Sequence, residues 1–436
     1  MNGAAAPAAP AVPATPATPA VPAAPAAPAT SAVPAAPAVP AVPAAPAVPA
    51  GPMAANPPAP IAAAAPGKWR AAVGGVDVVC GLGALADLGD LARELGGRRV
   101  LVVSDPGVRA AGHADRASEA LAAAGLAPQV FDAVGENPTT LEVEAGRDAA
   151  AGWRADLLVG VGGGSAMDCA KGINLLLTNG GSMEDYRGFG RAARPLLPAI
   201  GIPATAGTGS EAQSYALISR AETHEKMACG DRQARFRTVV LDAALLASTP
   251  RRVAAAAGID AIAHAVESLV CRRANPVSRL LSRAAWQLLE PNFLGHLAAP
   301  ADAAAAAAML LGAHLAGAAI EASMLGAAHA CANPLTARHG IAHGAAVALM
   351  LPAVVRWNGE VVSYAELGFA GSAEQLAARL EALRAAAGLP ATLREAGVEA
   401  AALGGMAREA ARQWTAGFNP RAAGEPDLLR LYELAY

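Results

Sequence analysis

The sequence predicts an α/β domain with a parallel sheet, followed by an all-helical domain. The first observation is that continuously apolar, β-branched runs alternate with helical periodicity between Val76 and Leu246. Strands that are apolar on both faces and separated by helices are typical of a parallel sheet covered on both sides. The second observation is that such runs stop at Pro250, after which Ala- and Leu-rich helical periodicity continues almost to the C-terminus.

A proline-rich tail precedes these domains. From Ala4 to about Pro60 the chain repeats Ala-Pro-Ala and Val-Pro-Ala units without a charged or aromatic side chain. Frequent proline removes backbone donors and fixes φ, so neither a helix nor a sheet propagates. The absence of a basic N-terminal region and the prolines in its apolar part argue against a secretory signal. We therefore expect a disordered tail over 1–66, an α/β domain over 67–249 and a helical domain over 250–436.

Composition excludes several classes of function. The net charge of −3 gives no reason to expect a nucleic acid or an anionic membrane as partner. Five scattered cysteines without a CxxC pair indicate reduced thiols and a cytoplasmic protein. The uncharged run 303–320 reaches the lower length limit of a membrane-spanning helix. It lacks aromatic anchors and a basic flank, so we expect a buried interior helix of a soluble protein.

The individual elements follow from local patterns. Apolar runs predict strands at 76–81, 98–105, 128–132, 156–164, 197–205 and 238–242. Leucine spacing after the first strand and alanine spacing after the second predict the helices that alternate with them, over Leu85 to Leu95 and Ala117 to Ala124. In the helical domain, prolines predict breaks at Pro276, Pro291, Pro300, Pro334 and Pro352.

Two glycine-containing loops follow apolar strands. The turn Gly162-Gly163-Gly164-Ser165 opens a helix that carries Asp168 and Lys171. Glycines let the backbone approach a pyrophosphate, and a helix N-terminus supplies free N–H groups. The turn matches neither GxGxxG nor a Walker loop, and a tight turn without a ligand accounts for the same glycines. The second loop, 205–211, predicts that a dinucleotide is held from two sides at the strand ends.

Asp105 ends the predicted strand at residues 100–104. A carboxylate there can accept a hydrogen bond from a ribose hydroxyl and repel a 2′-phosphate, which favours NAD over NADP. The alternative is an ordinary helix N-cap. The sequence leaves both open.

Four side chains form a candidate metal site. Asp260 and His264 are four residues apart and share one helix face, and His329 and His343 lie in a Gly- and Ala-rich segment. One carboxylate and three imidazoles suit a divalent first-row ion such as Fe²⁺ or Zn²⁺. Of the other histidines, His339 is interpreted as a rim residue and His314 as a satisfied interior residue. The remaining three are interpreted as surface residues: His113, His224 and His296.

Four motifs in this order resemble the iron-containing (group III) alcohol dehydrogenases over about residues 70–436. They are GGGSAMDCAKG (162–172), PATAGTGSE (203–211), GIDAIAHAVES (258–268) and the paired-histidine segment 326–344. The resemblance implies a Rossmann-like N-terminal domain and a helical C-terminal domain, the fold shared with dehydroquinate synthase. It also implies an active site in the cleft between the two domains.

The resemblance also assigns site residues. It implies that the metal ligands are Asp260, His264, His329 and His343. It implies a pyrophosphate turn at Gly162, Gly163 and Ser165 with Asp168 nearby, Thr205 and Thr208 lining the cofactor, Asn137 and Asp105 at the adenosine or ribose side, and Lys226 reaching the cofactor. One position departs from the family. Asn333 stands where many members carry a histidine proposed to relay the proton, and an amide does not titrate near neutral pH.

The predicted function is reversible hydride transfer between a small primary alcohol, or its aldehyde, and NAD, with a divalent metal binding the substrate oxygen. A homodimer or larger homo-oligomer is expected. Alternatives on the same fold are a maleylacetate reductase-like or dehydroquinate synthase-like enzyme. An alternative of another class is a catalytically inactive binding protein tethered by the Pro/Ala tail. The sequence does not identify the alcohol.

Overall fold

The computed structural model describes Met1 and residues 67–223, 225–368 and 372–436. The predicted tail, apart from Met1, and His224 lie outside the described residues. The strands are β1 (Trp69–Val73), β2 (Val76–Cys80), β3 (Arg99–Val103), β4 (Ala127–Phe131), β5 (Leu157–Gly162), β6 (Gly188–Phe189), β7 (Ala199–Pro203), β8 (Tyr215–Ser219), β9 (Lys226–Gly230) and β10 (Thr238–Leu241). The helices are α1 (Leu88–Glu94), α2 (Pro106–Ala110), α3 (His113–Ala123), α4 (Thr140–Trp153), α5 (Gly164–Asn179), α6 (Arg251–Val270), α7 (Pro276–Ala298), α8 (Ala303–Ala322), α9 (Ala327–His339), α10 (His343–Asn358), α11 (Ala373–Ala386), α12 (Leu403–Ala410) and α13 (Glu425–Ala435).

A seven-stranded sheet forms the centre of the α/β part, in the order β1-β2-β10-β7-β5-β3-β4. Only β1 runs antiparallel to its neighbour, and the other six strands are parallel. Those six are the strands that the sequence predicts, so the predicted fold class is confirmed. Gly162 pairs with Pro203, which places the carboxyl ends of β5 and β7 at the same edge of the sheet.

Four strands of the structure were not predicted from the sequence. They are β1 and the small sheet β6-β9-β8, in which β8 and β9 form an antiparallel pair. Alternate residues of β8 and β9 are partly exposed, so neither strand gives a continuous apolar run. Strand β1 is exposed along its middle and is an edge strand. The small sheet matters for the site because β9 begins with Lys226.

The helical part packs around α6 and α8. Both helices are long and apolar enough to span a membrane by length and composition, yet 78% and 72% of their apolar windows are buried inside the protein. The interior helix predicted at 303–320 is therefore confirmed as α8. In the described residues no strand follows β10, as predicted.

Three of the predicted proline breaks are wrong. Pro276 begins α7 and Pro300 lies between α7 and α8, but Pro291, Pro334 and Pro352 all lie inside continuous helices. Tertiary contacts offset the missing helical hydrogen bond. At Pro352, the carbonyl of Ala348 that loses its helical donor accepts from Arg384 Nη1 of α11 at 3.2 Å.

Two histidines interpreted as surface residues are buried, so that interpretation is wrong. His113 is 5% exposed and its Nε2 lies 2.6 Å from Ser248 Oγ, while His296 is 3% exposed at the end of α7. Each belongs to a helix face that packs inward, and the single imidazole gave no sign of this in the sequence. His314 is an interior residue as predicted, with Nδ1 lying 3.2 Å from Glu211 Oε1, but its buried Nε2 makes no hydrogen bond with a described residue, so only one of its nitrogens is satisfied.

Candidate metal centre and cofactor cleft

The two glycine-containing loops touch each other at the carboxyl ends of β5 and β7. A Cβ added to Gly163 would lie 3.4 Å from Thr205 Oγ1, and one added to Gly164 would lie 2.8 Å from Thr208 Cγ2. Gly162 has a φ of +150° and no room for a side chain, because its Cβ would lie 2.9 Å from Ala166. The loops therefore form one continuous backbone surface at the N-terminus of α5, which is suited to an anionic group.

Asp105 is a helix N-cap, which is one of its two sequence-based interpretations. Its Oδ1 accepts from the Val108 backbone N–H at 2.9 Å and caps α2. Its Oδ2 turns toward the glycine turn, 3.1 Å from where a Cβ of Gly162 would lie. The cap uses one carboxylate oxygen and leaves the other at the turn.

Asn137 is held beside the same turn. Its backbone N–H donates to Ser165 Oγ at 3.2 Å, and its φ of 55° is the left-handed conformation that asparagine tolerates. The Pro138 carbonyl accepts from the Ser219 N–H at 2.8 Å, which ties this segment to β8. The structure thus brings Asn137 and Ser165 together.

Asp168 lies below the loops and is fully engaged by the protein. It accepts from Ser210 Oγ at 2.5 Å and from the Leu217 N–H at 3.1 Å. Lys171 donates to the Ser210 carbonyl at 2.8 Å and to the Tyr215 carbonyl at 2.7 Å. Burial raises the pKa of Asp168 and lowers the pKa of Lys171, and each charge opposes the shift of the other. This pair braces the second loop against α5.

The second loop also contacts the helical part. A Cβ on Gly207 would lie 2.7 Å from that of Ala257 on α6, and a Cβ on Gly209 would lie 2.6 Å from the Cα of Gly317 on α8. Gly209 also has a φ of +59°, which favours glycine. These two glycines are therefore required by helix packing, a role that the sequence did not reveal.

The predicted metal ligands meet around one carboxylate oxygen. Asp260 Oδ1 lies 3.5 Å from His264 Nε2, 3.4 Å from His329 Nε2 and 4.0 Å from His343 Nε2. Helix α6 supplies the first two residues, α9 supplies His329 near its start, and His343 begins α10. The rings of His264 and His329 stack with centroids 4.8 Å apart.

These atoms fit a divalent ion. Tetrahedral ligands at about 2.1 Å from a metal are about 3.4 Å from one another, close to the distances seen here. Asp260 Oδ1 and His329 Nε2 are buried and make no hydrogen bond with a described residue. Unsatisfied buried acceptors are costly, and a cation satisfies them. Ligand atoms of Asp260, His329 and His343 lie within 4.8 Å of one another.

Two of the three imidazoles are in the protonation state that ligation requires. Burial lowers the pKa of His264 to about 4 and that of His343 to about 3, so both rings are neutral at pH 7. Burial opposes ionisation of Asp260, but the surrounding imidazoles lower its pKa below the usual range. Burial lowers the pKa of His329, but the carboxylates of Glu267 and Asp260 outweigh burial and raise the pKa to about 9, so this ring is protonated at pH 7 and must release a proton when a metal binds.

Glu267 is a buried site residue that the sequence analysis did not single out. Its Oε2 accepts from His329 Nδ1 at 2.5 Å, and its Oε1 accepts from the Ala328 N–H at 2.8 Å. It follows Asp260 by seven residues and His264 by three, so helical spacing on α6 was the available signal.

A cavity of about 800 Å³ lies between the segments that follow β4 and β8 and the helical part. Its lining includes Asn137, Lys226, Asn333 and Gln413. Asn333 Nδ2 donates to Gln413 Oε1 at 2.9 Å. Burial lowers the pKa of Lys226, although Asp168, Asp260 and Glu136 oppose the shift. The cavity therefore joins residues predicted for the cofactor with a residue one helical turn beyond His329.

The chain matches two family models along its folded length. "Iron-containing alcohol dehydrogenase" covers residues 76–243, and "Fe-containing alcohol dehydrogenase family, C-terminal" covers residues 254–436. The chain belongs to the iron-containing alcohol dehydrogenase family. Both the predicted family and the predicted type of enzyme are thereby confirmed.

Individual relatives agree with this assignment. The chain is 31% identical over 373 residues to a 1,3-propanediol dehydrogenase of Klebsiella pneumoniae, covering 82% of this chain and 96% of that one. It is 29% identical over 372 residues to an NAD-dependent methanol dehydrogenase of Bacillus methanolicus, covering 82% and 97%. The crystal structure of a 1,3-propanediol oxidoreductase superposes with a TM-score of 0.77 at 30% identity, covering 82% and 97%.

Proposed function

We propose that this protein transfers a hydride reversibly between a small primary alcohol, or its aldehyde, and NAD, with a divalent metal ion at the reacting oxygen. The observation that carries the proposal is the convergence of three imidazoles on the ionised oxygen of Asp260, with Asn333, one helical turn beyond His329, lining a cavity of about 800 Å³. Relatives that are named as alcohol dehydrogenases, one of them NAD-dependent, support it.

Asp260, His264, His329 and His343 would hold the metal, with Fe²⁺ as the proposed ion and Zn²⁺ as the alternative. When bound, the ion supplies a Lewis acid that favours the ionised form of an alcohol at neutral pH. The two rings kept neutral by burial present lone pairs without the loss of a proton. His329 is aligned by Glu267 on the opposite side of its ring.

The α/β part would hold the dinucleotide. Gly162, Gly163 and Ser165 form the proposed pyrophosphate turn, and Thr205 and Thr208 lie against it across the second loop. Asp105 Oδ2 and Asn137 are proposed for the ribose and adenosine side, with Lys226 at the cavity end nearer the metal. Asp168 contributes by bracing the second loop through Ser210.

The proton needs a route that does not pass through Asn333. Its amide does not titrate, and Nδ2 is engaged by Gln413. We propose that the proton leaves through water or a cofactor ribose hydroxyl within the cavity. The Asn333–Gln413 pair uses neither Asn333 Oδ1 nor the NH₂ group of Gln413, and both are available to orient a substrate or a water molecule.

The wider organisation is proposed on the same basis. A disordered tail over 1–66 would precede an α/β domain over 67–249 and a helical metal-binding domain over 250–436, in a cytoplasmic homodimer or larger homo-oligomer. The two family models divide between residues 243 and 254, close to this boundary. The maleylacetate reductase-like and inactive-scaffold alternatives are decided by the following experiment.

The test uses the full chain and a variant lacking residues 1–66, purified without air and reloaded with Fe²⁺. We expect alcohol-dependent NADH formation that survives deletion of the tail, stops on chelation and stops in Asp260→Asn. His339→Gln, which alters a half-buried histidine outside the set, is the matched control and should retain activity. Metal-loaded protein that is inactive with short alcohols, diols and aldehydes, but active with maleylacetate and NADH, would replace the proposal with the reductase. Inactivity with all substrates would favour the scaffold.

A further inference from the structure

The N-terminus of α9 is held by two buried side chains from distant parts of the chain. The Ala327 N–H donates to Asn419 Oδ1 at 3.1 Å, and the Ala328 N–H donates to Glu267 Oε1 at 2.8 Å. The first N–H groups of a helix have no partner within the helix, so these contacts satisfy two of them. Asn419 is itself locked by a reciprocal amide pair with Asn358, at 3.0 and 2.8 Å.

The same carboxylate of Glu267 also determines how His329 is presented. Oε2 accepts from His329 Nδ1, while Oε1 is fixed on the helix N-terminus. The imidazole therefore carries a proton on Nδ1 and directs Nε2 toward Asp260 Oδ1, 3.4 Å away, so Nδ1 keeps its proton when Nε2 ligates. The donor on one nitrogen sets the tautomer and frees the other nitrogen to ligate.

The atoms around Glu267 restrict its carboxylate to one position. A Cβ on Gly326 would lie 2.9 Å from Glu267 Oε1 and 2.8 Å from Asn419 Oδ1. Glu267 is 4% exposed and His329 is 3% exposed, so water does not replace either contact. The carboxylate has one position in which it meets both of its donors.

We propose that Glu267 is the positioning residue for His329, which joins the cap of α9 to the choice of the metal-ligating nitrogen. The proposal rests on the proposed metal site. Its consequence is that the two oxygens of Glu267 are not equivalent, since one stabilises the helix and the other prepares the ligand. A substitution that keeps the cap and reverses the polarity at His329 separates the two roles.

Glu267→Gln is that substitution. Its amide oxygen can still accept from the Ala328 N–H, which places the NH₂ group against His329 Nδ1. That nitrogen must then accept, so the proton moves to Nε2, the atom that should bind the metal. Asn419→Ala is the matched control, because it removes the other α9 cap and does not touch His329.

The experiment measures Zn²⁺ binding to the metal-free full-length protein by competition with a chromophoric chelator, and Nδ1 protonation of His329 by ¹⁵N NMR. We expect Glu267→Gln to raise the Zn²⁺ dissociation constant roughly 10- to 100-fold and to remove the proton from Nδ1. Asn419→Ala should lower the unfolding temperature about as much as Glu267→Gln does. It should change the Zn²⁺ dissociation constant less than about threefold, well below the change expected for Glu267→Gln.

Failure of this inference and failure of the proposed function look different. If wild type binds Zn²⁺ through His329 and Glu267→Gln binds it equally well with Nδ1 still protonated, Glu267 is only a structural cap and the inference is wrong. If wild type itself binds Zn²⁺ without a shift of His264, His329 or His343 signals, the proposed metal site is wrong. Equal losses of affinity in Glu267→Gln and Asn419→Ala would also overturn the inference.

Discussion

The contact between Gly209 and Gly317 gives a sharp test of how the cofactor loop is positioned. Gly317 lies in the middle of α8, and a Cβ there would lie 2.7 Å from the Cα of Gly209. A real Cβ does not approach another backbone this closely. Gly317→Ala must therefore push the loop 205–211 and α8 apart. Gly295→Ala on α7 is the matched control, because no atom lies within 4 Å of its added Cβ.

The magnitudes of the two substitutions have opposite signs. Alanine stabilises a helix by about 1 kcal/mol relative to glycine, and Gly295→Ala should gain up to this amount. Gly317→Ala gains the same helix propensity but overpacks a backbone contact, which costs about 1–3 kcal/mol. We expect a net loss of up to about 2 kcal/mol for Gly317→Ala, and a difference of about 1–3 kcal/mol between the variants.

Two assays check this expectation. Urea unfolding of the metal- and cofactor-free protein gives the difference in unfolding free energy, and NADH fluorescence gives cofactor affinity. Gly317→Ala should raise the dissociation constant of NADH on the order of tenfold, about 1.4 kcal/mol, because Thr205 and Thr208 move with the loop. Gly295→Ala should leave it unchanged. The reasoning is refuted if Gly317→Ala is stabilised as much as the control, or if it is destabilised while NADH affinity is unchanged.

Three further predictions use the same proteins. Asp105→Asn should keep the hydrogen bond to the Val108 N–H, since asparagine caps a helix as well as aspartate does, while kcat/KM with NADP rises about tenfold or more. Unchanged kinetics with NADP would show that Asp105 does not determine the choice between NAD and NADP. Gly162→Ala, at a φ of +150° and facing Ala166, should weaken NADH binding by at least about tenfold with metal content unaltered, as fluorescence and elemental analysis would report; equal NADH affinity contradicts the proposed turn. Burial lowers the pKa of His113, so the unfolded chain binds a proton more readily and the free energy of unfolding falls as pH drops below about 6.5. His113→Gln should reduce the dependence of that free energy on pH by up to about 1.4 kcal/mol per pH unit, as measured by urea unfolding. An unchanged pH dependence would assign it to other groups.

The sequence predicts the sheet well where burial is two-sided. Strands such as β5 and β7 are buried at every residue, so their apolar runs are continuous and need no tertiary information. The edge strand β1 and the partly exposed β8 and β9 give no such run. Inside the helical part, local rules end a helix at Pro352, but Arg384 reaches the unpaired carbonyl from 36 residues away. Such compensation is not visible locally.

The site residues also differ in whether local sequence spacing predicts them. Asp260 and His264 are predictable together because i, i+4 spacing places them on one helix face. Their relation to His329 and His343 needs the packing of α9 and α10 against α6. Gln413 was missed because its partner Asn333 is 80 residues away, and Glu267 because His329 is 62 residues away. Residues that act through a distant partner leave no pattern of their own.

The formal charges of the buried cluster explain why Glu267 belongs with the ligands. Asp260 and Glu267 carry one negative charge each, and both are 3–4% exposed. As metal ligands the three imidazoles are neutral and add none, so a divalent cation makes the whole cluster neutral, which is the arrangement that a low-dielectric interior tolerates. Glu267→Gln would leave a buried positive charge once the ion is bound, in addition to reversing the tautomer of His329. The same count favours a divalent over a trivalent ion, because a trivalent ion would leave one uncompensated positive charge in the cluster. Lys226 would make that charge more costly, because its ammonium is close enough to act on the cluster. The pKa of His343 is lowered first by burial and also by Lys226, while Asp260 raises it.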